Sequence, residues 1–216
     1  MKTLSKAIAI ASLVSASALT AQVANAEVAY NASVVSDYVW RGQSQNDNGF
    51  AFQGGADADV AENVSVGVWA STVMLDADDG EDTIEVDLYA SYGFDLAGMD
   101  ASVGFVTYMY DESDASTEFN LAIEKDAMSA MLSIDSESEY SYLEGGYSID
   151  LPQELSLDLS VGYVMPDEGD SSLDFGASVG KDVSGIDLSL GLGWASEDRT
   201  GDEAESVVYL SASKEF

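Results

Sequence analysis

The chain has 216 residues, of which 40 are Asp or Glu and seven are Lys or Arg, so its formal net charge is −33. A chain this acidic repels nucleic acid. It contains neither Cys nor His, which excludes disulfides, the common zinc, haem and iron–sulfur ligand sets, and the Ser-His-Asp and Cys-His nucleophile systems, so we expect no catalytic residue, no cofactor and no metal site.

The first 26 residues have the pattern of a secretory signal peptide. Lys2 and Lys6 precede an apolar stretch, and Ala24-Asn25-Ala26 forms a small-x-small cleavage site. The apolar stretch is shorter than the roughly 20 residues that a membrane-spanning helix needs. We predict cleavage after Ala26, which leaves a single domain over residues 27–216.

After this segment, apolar and polar residues alternate with a period of two, which is the pattern of half-buried β-strands. No part of the domain has the eighteen consecutive apolar residues expected of a membrane-spanning helix. The alternation predicts an all-β protein, an antiparallel transmembrane β-barrel of about 12 strands, an even number as in bacterial single-chain barrels. The predicted strands lie near residues 28–40, 50–60, 63–74, 82–94, 99–110, 117–124, 126–135, 139–150, 155–165, 171–181, 185–196 and 205–216.

Alternation is also compatible with a soluble β-sandwich or a lipocalin-like barrel, whose apolar faces point inward. The lengths of the connections favour a membrane barrel. Long acidic connections, such as 42–49 and 111–116, alternate with short ones, such as 61–62 and 96–98. Outer-membrane barrels have long external loops and short periplasmic turns. This asymmetry places both termini in the periplasm.

Aromatic residues gather near the ends of the predicted strands, where we expect interfacial girdles. They are Tyr38, Trp40, Tyr92, Phe94, Tyr108, Tyr110, Tyr163 and Trp194. The last strand ends on Phe216, and a terminal aromatic residue on an alternating strand resembles the assembly signal of Gram-negative outer-membrane proteins. We therefore expect the outer-membrane assembly machinery to recognise Phe216.

The polar face of the predicted strands is rich in Ser, Gly and Asp. A charged side chain that faces hydrocarbon is unfavourable, so the carboxylates must point into the lumen of a membrane barrel. Small side chains leave room for water there, and carboxylates favour cations. A second interpretation is that the acidic residues only keep the loops and lumen hydrated. The residues predicted to line the pore are Asp37, Arg41, Glu85, Asp87, Asp158, Asp174 and Asp187.

Three segments over the first predicted strands carry a family resemblance. Residues 36–45, 52–55 and 67–72 read SDYVWRGQSQ, FQGG and GVWAST. In order and spacing they resemble the TorF family of porins. The resemblance implies a signal peptide, an outer-membrane barrel and a pore without a defined substrate, and it implies no catalytic residue.

Within the first of these segments, a strand that continues to Trp40 would place Asp37 and Arg41 on one face. One interpretation is an Arg41–Asp37 pair at the outer mouth that constricts the pore and steers ions. The other, which we favour, is an ion pair that only pins the first loop.

Two further signals are weak. The run Asp76–Asp82 looks like a calcium loop, but Gly80 stands where an EF-hand needs an oxygen ligand, so a solvated acidic loop is expected. Inward carboxylates on several strands have the chemistry of a hydrolytic acid/base pair, but the sequence does not give their separation.

The sequence thus predicts a porin in the cell outer membrane, in contact with lipid and lipopolysaccharide, that passes small ions or solutes with a preference for cations. One alternative is a non-conducting structural or adhesive barrel whose acidic loops are bridged to lipopolysaccharide by divalent cations. Another is a soluble ligand-binding barrel of the periplasm.

Overall fold

A computed structural model describes residues 28–76, 81–111, 113–135, 137–197 and 203–216. The predicted signal peptide and the whole Asp76–Asp82 run lie outside the residues whose side chains are described. Among the described residues, no helix is long and apolar enough to cross a membrane.

The described chain is all β. Twelve of its strands close an antiparallel barrel in which each strand pairs with the next barrel strand along the chain, and the first pairs with the last. Two further short strands pair only with each other. The strands are β1 (Val28–Val35), β2 (Val39–Trp40), β3 (Gln43–Ser44), β4 (Ala51–Ala61), β5 (Val64–Asp76), β6 (Glu81–Asp95), β7 (Asp100–Met109), β8 (Ser116–Lys125), β9 (Met128–Asp135), β10 (Tyr140–Leu151), β11 (Leu155–Pro166), β12 (Ser172–Asp182), β13 (Asp187–Ala195) and β14 (Glu205–Glu215). The predicted twelve-stranded barrel is confirmed.

Alternation along each strand separates an apolar outside from a polar inside. On β13, the side chains of Leu188, Leu190 and Leu192 are exposed, whereas Gly191 and Gly193, at the alternate positions, are buried. Exposed Leu, Val, Ile and Phe side chains recur in this way around the barrel. A continuous apolar outer band of this extent suits hydrocarbon and not water. A soluble barrel with its apolar face inside has the opposite arrangement.

The connections differ in length at the two ends of the barrel, as predicted, although not at every position. One end, here called the long-loop rim, carries the connections that follow β1, β5, β7, β9, β11 and β13, and the first of these spans residues 36–50. The other, here called the short-turn rim, carries residues 62–63, 96–99, 126–127, 152–154 and 183–186. The first residue of β1 and the last residue of β14 both lie at the short-turn rim, which fits the predicted placement of the termini on one side.

The barrel closes at a seam where β1 meets β14. Asn31 pairs with Glu215 and Val35 with Ser211. The pairing extends to the final residue, because the amide of Phe216 donates to the carbonyl of Tyr30 at 2.9 Å and the amide of Tyr30 donates back at 3.4 Å. The exposed ring of Phe216 lies at the short-turn rim.

Deletion of Phe216 should lower the amount of folded barrel in outer membranes, because it removes both seam hydrogen bonds and the terminal ring. Phe216→Ala keeps the hydrogen bonds and removes only the ring, so it separates the two contributions. The measurement is heat-modifiable gel migration of membrane fractions. Normal folded levels of the truncated chain would contradict the role of Phe216 as an assembly signal.

Candidate functional site

The first loop does not extend away from the barrel. Residues 36–49, here called the inserted segment, touch strands on several sides of the closed wall. Its contacts are Tyr38 with Trp69 on β5, Trp40 with Tyr108 on β7, Arg41 with Glu118 on β8, Gly42 with Trp194 on β13, and Ser44 with Glu205 on β14. A segment with partners on opposite walls of a closed barrel must lie in the lumen.

A tight hairpin gives the inserted segment its shape. Val39 pairs with Ser44 and Trp40 with Gln43, and the two residues between them, Arg41 and Gly42, have φ values of 49° and 79°. Positive φ at both central residues is the geometry of a type I′ turn. The predicted first strand over 28–40 is therefore too long, because β1 ends at Val35 and Val39–Trp40 pair with Gln43–Ser44 and not with the barrel wall.

Two glycines let the hairpin approach the wall. A Cβ atom on Gly42 would overlap the backbone carbonyl of Trp194, and one on Gly193 would lie 2.7 Å from Cγ1 of Val39. Gly42 also has the positive φ that favours glycine. The segment can seat against β13 only because both positions lack a side chain.

Arg41 anchors the segment to the opposite wall. Its Nη2 donates to both carboxylate oxygens of Glu118, at 2.7 and 3.0 Å, and its Nη1 donates to the hydroxyl of Tyr140 at 2.9 Å. The guanidinium carbon lies 3.8 Å from the ring centre of Tyr142 and 4.1 Å from that of Trp40. Burial opposes the charge of Arg41, but Glu118 together with Tyr140, Tyr108 and Tyr142 outweighs it and raises the pKa of the guanidinium.

Asp37 has a different partner from the one predicted. Its Oδ1 accepts a hydrogen bond of 2.7 Å from Oγ of Ser44, across the hairpin. Burial raises the pKa of Asp37 to about 6, against the lowering effect of the Ser44 hydroxyl. The predicted Arg41–Asp37 pair is wrong, because β1 ends at Val35, so Asp37 and Arg41 do not share the face of one strand and bond Ser44 and Glu118 instead. Arg41 still pins the first loop, through Glu118.

The inserted segment covers the carboxylates of β6. Glu85 accepts from the hydroxyl of Tyr110 at 2.8 Å. Asp87 is 0% exposed and neither of its carboxylate oxygens has a hydrogen-bond partner among the described residues. Its cross-strand neighbour Trp69 packs against Tyr38 of the segment, with ring centres 5.5 Å apart. Glu85 and Asp87 thus face inward, on a side of the lumen that is filled.

The other predicted carboxylates lie on the opposite wall. Asp174 accepts from the hydroxyl of Tyr142 at 3.1 Å, and half-buried Asp158 accepts from Ser148. Asp187 is exposed at the short-turn rim. The predicted carboxylates therefore lie in three places. Glu85 and Asp87 lie beside the inserted segment, Asp158 and Asp174 lie on the opposite wall, and Asp187 lies at the short-turn rim.

The inward carboxylates that the sequence reasoning missed include Glu118 and Glu144. Both are buried, and each lies within a predicted strand. Alternation could have found Glu118, because Phe119 and Leu121 form the exposed outer face of β8. Glu144 lies in β10, where apolar and polar residues do not alternate regularly, so the sequence alone does not assign its side chain to one face.

The expectation that lumen glycines leave room for water is wrong at several positions, because tyrosine rings fill that room. A Cβ atom on Gly67 would overlap the ring of Tyr89, and one on Gly191 would overlap the ring of Tyr209. Both pairs are direct cross-strand neighbours.

The predicted aromatic girdles are correct only in part. Tyr92 and Tyr163 are exposed on the outside. Tyr38 and Tyr108, by contrast, pack in the lumen with the inserted segment. Proximity to a strand end does not give the face, and the face decides whether a ring meets lipid or fills the interior.

Two cavities lie beside the inserted segment, against the wall of β10–β13. The cavity toward the short-turn rim is lined by Glu144, Asp158, Ser160, Gly176, Ser178 and Tyr209, among others. The cavity toward the long-loop rim is lined by Trp40, Gln43, Tyr140, Val164 and Ser172, among others. Arg41 and Asp174 line both. The two cavities are therefore adjacent at these two residues.

A family described as bacterial protein of unknown function (Gcw_chp) matches residues 20–202. The chain belongs to this family. The match spans the inserted segment and most of the wall, so both belong to the part of the chain that Gcw_chp describes. No curated protein sequence matches this Gcw_chp chain.

Among solved structures, this Gcw_chp barrel is similar to outer-membrane barrels of matching size. The KdgM porin superposes with a TM-score of 0.57 at 8% identity, covering 88% of this chain and 97% of that chain. The outer membrane protein Omp33 of Acinetobacter baumannii gives 0.56 at 5% identity, covering 88% and 98%. The NanC porin gives 0.55 at 8% identity, covering 87% and 99%. At these identities the likeness shows the fold, which is that of outer-membrane porins.

Glu118→Gln should loosen the inserted segment, because it leaves the buried charge of Arg41 without its counter-ion. Breaking a buried pair costs about 3–5 kcal/mol, which corresponds to roughly 10²-fold or more in the population of an unseated segment. Because the chain has no Cys, Val39→Cys can report unseating through its rate of labelling by an impermeant maleimide.

The matched comparison is Arg41→Met with Glu118→Gln, which removes both charges and should label more slowly than the single variant. Equal rates in the parent, the single and the double variant would show that the ion pair does not hold the segment.

Proposed function

We propose that this protein is an outer-membrane porin that lets small solutes or ions diffuse passively, with a preference for cations. The observation that carries the proposal is the form of the barrel, which is apolar outside and has carboxylates along the side of the lumen that remains open. The resemblance to the TorF porins supports the same function, as does the shared fold with proteins described as porins. No enzymatic activity is proposed.

The location follows from the same features. An apolar outer band and a closed edge suit a bilayer. We propose export by the signal peptide of residues 1–26, assembly by the outer-membrane machinery that recognises Phe216, and contact with lipid and lipopolysaccharide.

The proposed preference for cations follows from which side chains line the two cavities. Arg41 and Glu118 neutralise each other, and Glu85 and Asp87 are covered by the inserted segment. Asp158 and Asp174 line the open side, together with Glu144. Carboxylates in a low-dielectric passage create a negative potential that concentrates cations.

One observation favours a second candidate, a non-conducting structural barrel. The lumen is packed so closely around the inserted segment that the side chains of Asp87 on β6 and Tyr142 on β10 are both 0% exposed. If the remaining cavities do not join, the barrel conducts no ions and has a structural role at the cell surface.

Purified protein in planar bilayers should give small conductance steps with a preference for cations, because the inserted segment narrows the lumen and the open side is acidic. The preference should weaken at high salt, where the screening length falls to about 3 Å at 1 M. Single-channel recording and reversal potentials in KCl gradients are the measurements.

Absence of steps from protein shown to be folded by heat-modifiable migration would favour the non-conducting barrel. A preference for anions would show that Arg41, and not the carboxylates, controls the passage.

A further inference from the structure

The lysines of the barrel all lie at the short-turn rim. After the predicted signal peptide the chain has three of them, Lys125, Lys181 and Lys214. Lys125 is the last residue of β8, and the other two are the penultimate residues of β12 and β14. All three strands end at the short-turn rim. Among the described residues, the remaining basic side chain is that of Arg41, which pairs with Glu118 inside the lumen.

Alternation places all three lysines on the outer face of the barrel. Side chains two residues apart on a strand share a face, and each lysine follows a column of three outward apolar residues. These columns are Phe119, Leu121 and Ile123 on β8, Phe175, Ala177 and Val179 on β12, and Val208, Leu210 and Ala212 on β14. The acidic residue beside each lysine in the sequence takes the inward face instead. These residues are Glu124, Asp182 and Glu215.

The three lysines keep their charge without a carboxylate partner, because the only ion pair among the described residues is that of Arg41 with Glu118. The Nζ of Lys181 donates to the carbonyl of Gln153 at 2.8 Å, and the Nζ of Lys214 lies 5.0 Å from the ring centre of Phe216. Both contacts are with residues at the short-turn rim, so they hold the ammonium groups at the edge of the apolar band. An ammonium has three protons to donate, so Lys181 keeps two for a further acceptor.

Two of the lysines, Lys181 and Lys214, lie close together and are here called the lysine pair. Lys181 pairs with Leu188 on β13, and Leu188 pairs with Ala212 on β14, two residues before Lys214. The spacing of strands and the rise along them place the two lysine Cα atoms roughly 12 Å apart. The exposed side chain of Leu188 lies beside them. One patch of membrane therefore meets both positive charges and an apolar surface.

We propose that the lysine pair binds the head groups of anionic phospholipids in the membrane leaflet that surrounds the short-turn rim. Lysine stems cover apolar surface while their ammonium groups reach the interface, and lysines at that depth attract anionic lipids. The partner is a lipid and not a free phosphate, because the apolar columns that end at the lysines contact the acyl chains of the same molecule. The proposal rests on the outer-membrane location proposed above and does not depend on conduction.

Lys181→Gln combined with Lys214→Gln is the direct test, because it removes both charges and keeps most of each stem. The folded barrel in detergent is mixed with equal amounts of phosphatidylglycerol and phosphatidylcholine that have the same acyl chains. Native mass spectrometry then gives the ratio of the two bound lipids. We expect the parent to prefer phosphatidylglycerol. The double variant should lower the ratio about fivefold or more, because one lysine beside an anionic surface contributes roughly a factor of five.

Two further double variants serve as controls. Lys181→Arg with Lys214→Arg keeps both charges and should keep the preference. Ser113→Asp with Ser171→Asp makes the same change in net charge on exposed residues of the long-loop rim, and it should leave the ratio close to that of the parent. Heat-modifiable migration establishes that each variant is folded.

Equal binding of the two lipids by the parent would overturn the proposal, as would an unchanged ratio in the glutamine variant. A loss in the arginine variant as large as that in the glutamine variant would overturn it too, and so would an equal loss in the aspartate variant, because net charge would then explain the preference. Each of these results leaves the porin function standing. Failure of the parent to fold in detergent would overturn the membrane location, and the role of the lysine pair with it.

Discussion

The ion pair between Arg41 and Glu118 holds the inserted segment across the lumen. A buried arginine loses its hydration, and it is stable only where a carboxylate and further contacts replace the water. Both carboxylate oxygens of Glu118 on β8 accept hydrogen bonds from Arg41, and the hydroxyl of Tyr140 accepts a third. The guanidinium also stacks on the rings of Trp40 and Tyr142. These contacts can form only if the chain turns sharply at Arg41 and Gly42, so the turn, the ion pair and the seating of the segment depend on one another.

This anchoring makes the interior of the barrel asymmetric. Rings from β5 and β7 pack against the segment, and the carboxylates Glu85 and Asp87 are enclosed on that side. On the side of β10–β13, small residues such as Ser160 and Gly176 leave space beside Asp174. A barrel of twelve strands is intermediate between barrels filled by side chains and wide aqueous channels. Here one wall is filled and the other is left open.

The alternation of apolar and polar residues was sufficient to predict most of the fold. The outer face of each strand must be apolar to meet hydrocarbon, so a period of two was enough to place twelve strands, their rims and the inward direction of residues such as Asp87 and Asp174. Alternation could not show where a strand stops pairing. Residues Val35 to Trp40 continue the pattern, and only the positive φ of Arg41 and Gly42 together with contacts to distant strands reveal the inserted segment. The pairing of Arg41 with Glu118 joins positions 77 residues apart, and no local pattern encodes it.

The central claim is that the inserted segment sets the width of the passage. Val35 and Ala51 are direct cross-strand partners, so residues 36–50 can be replaced by Asn-Gly, the two-residue turn that suits an antiparallel pair. The measurement is the single-channel conductance of this shortened barrel beside that of the parent, with heat-modifiable migration as evidence of folding. We expect a severalfold larger single-channel conductance in the shortened barrel, because its lumen no longer contains the hairpin. Unchanged conductance in a folded shortened barrel would contradict it.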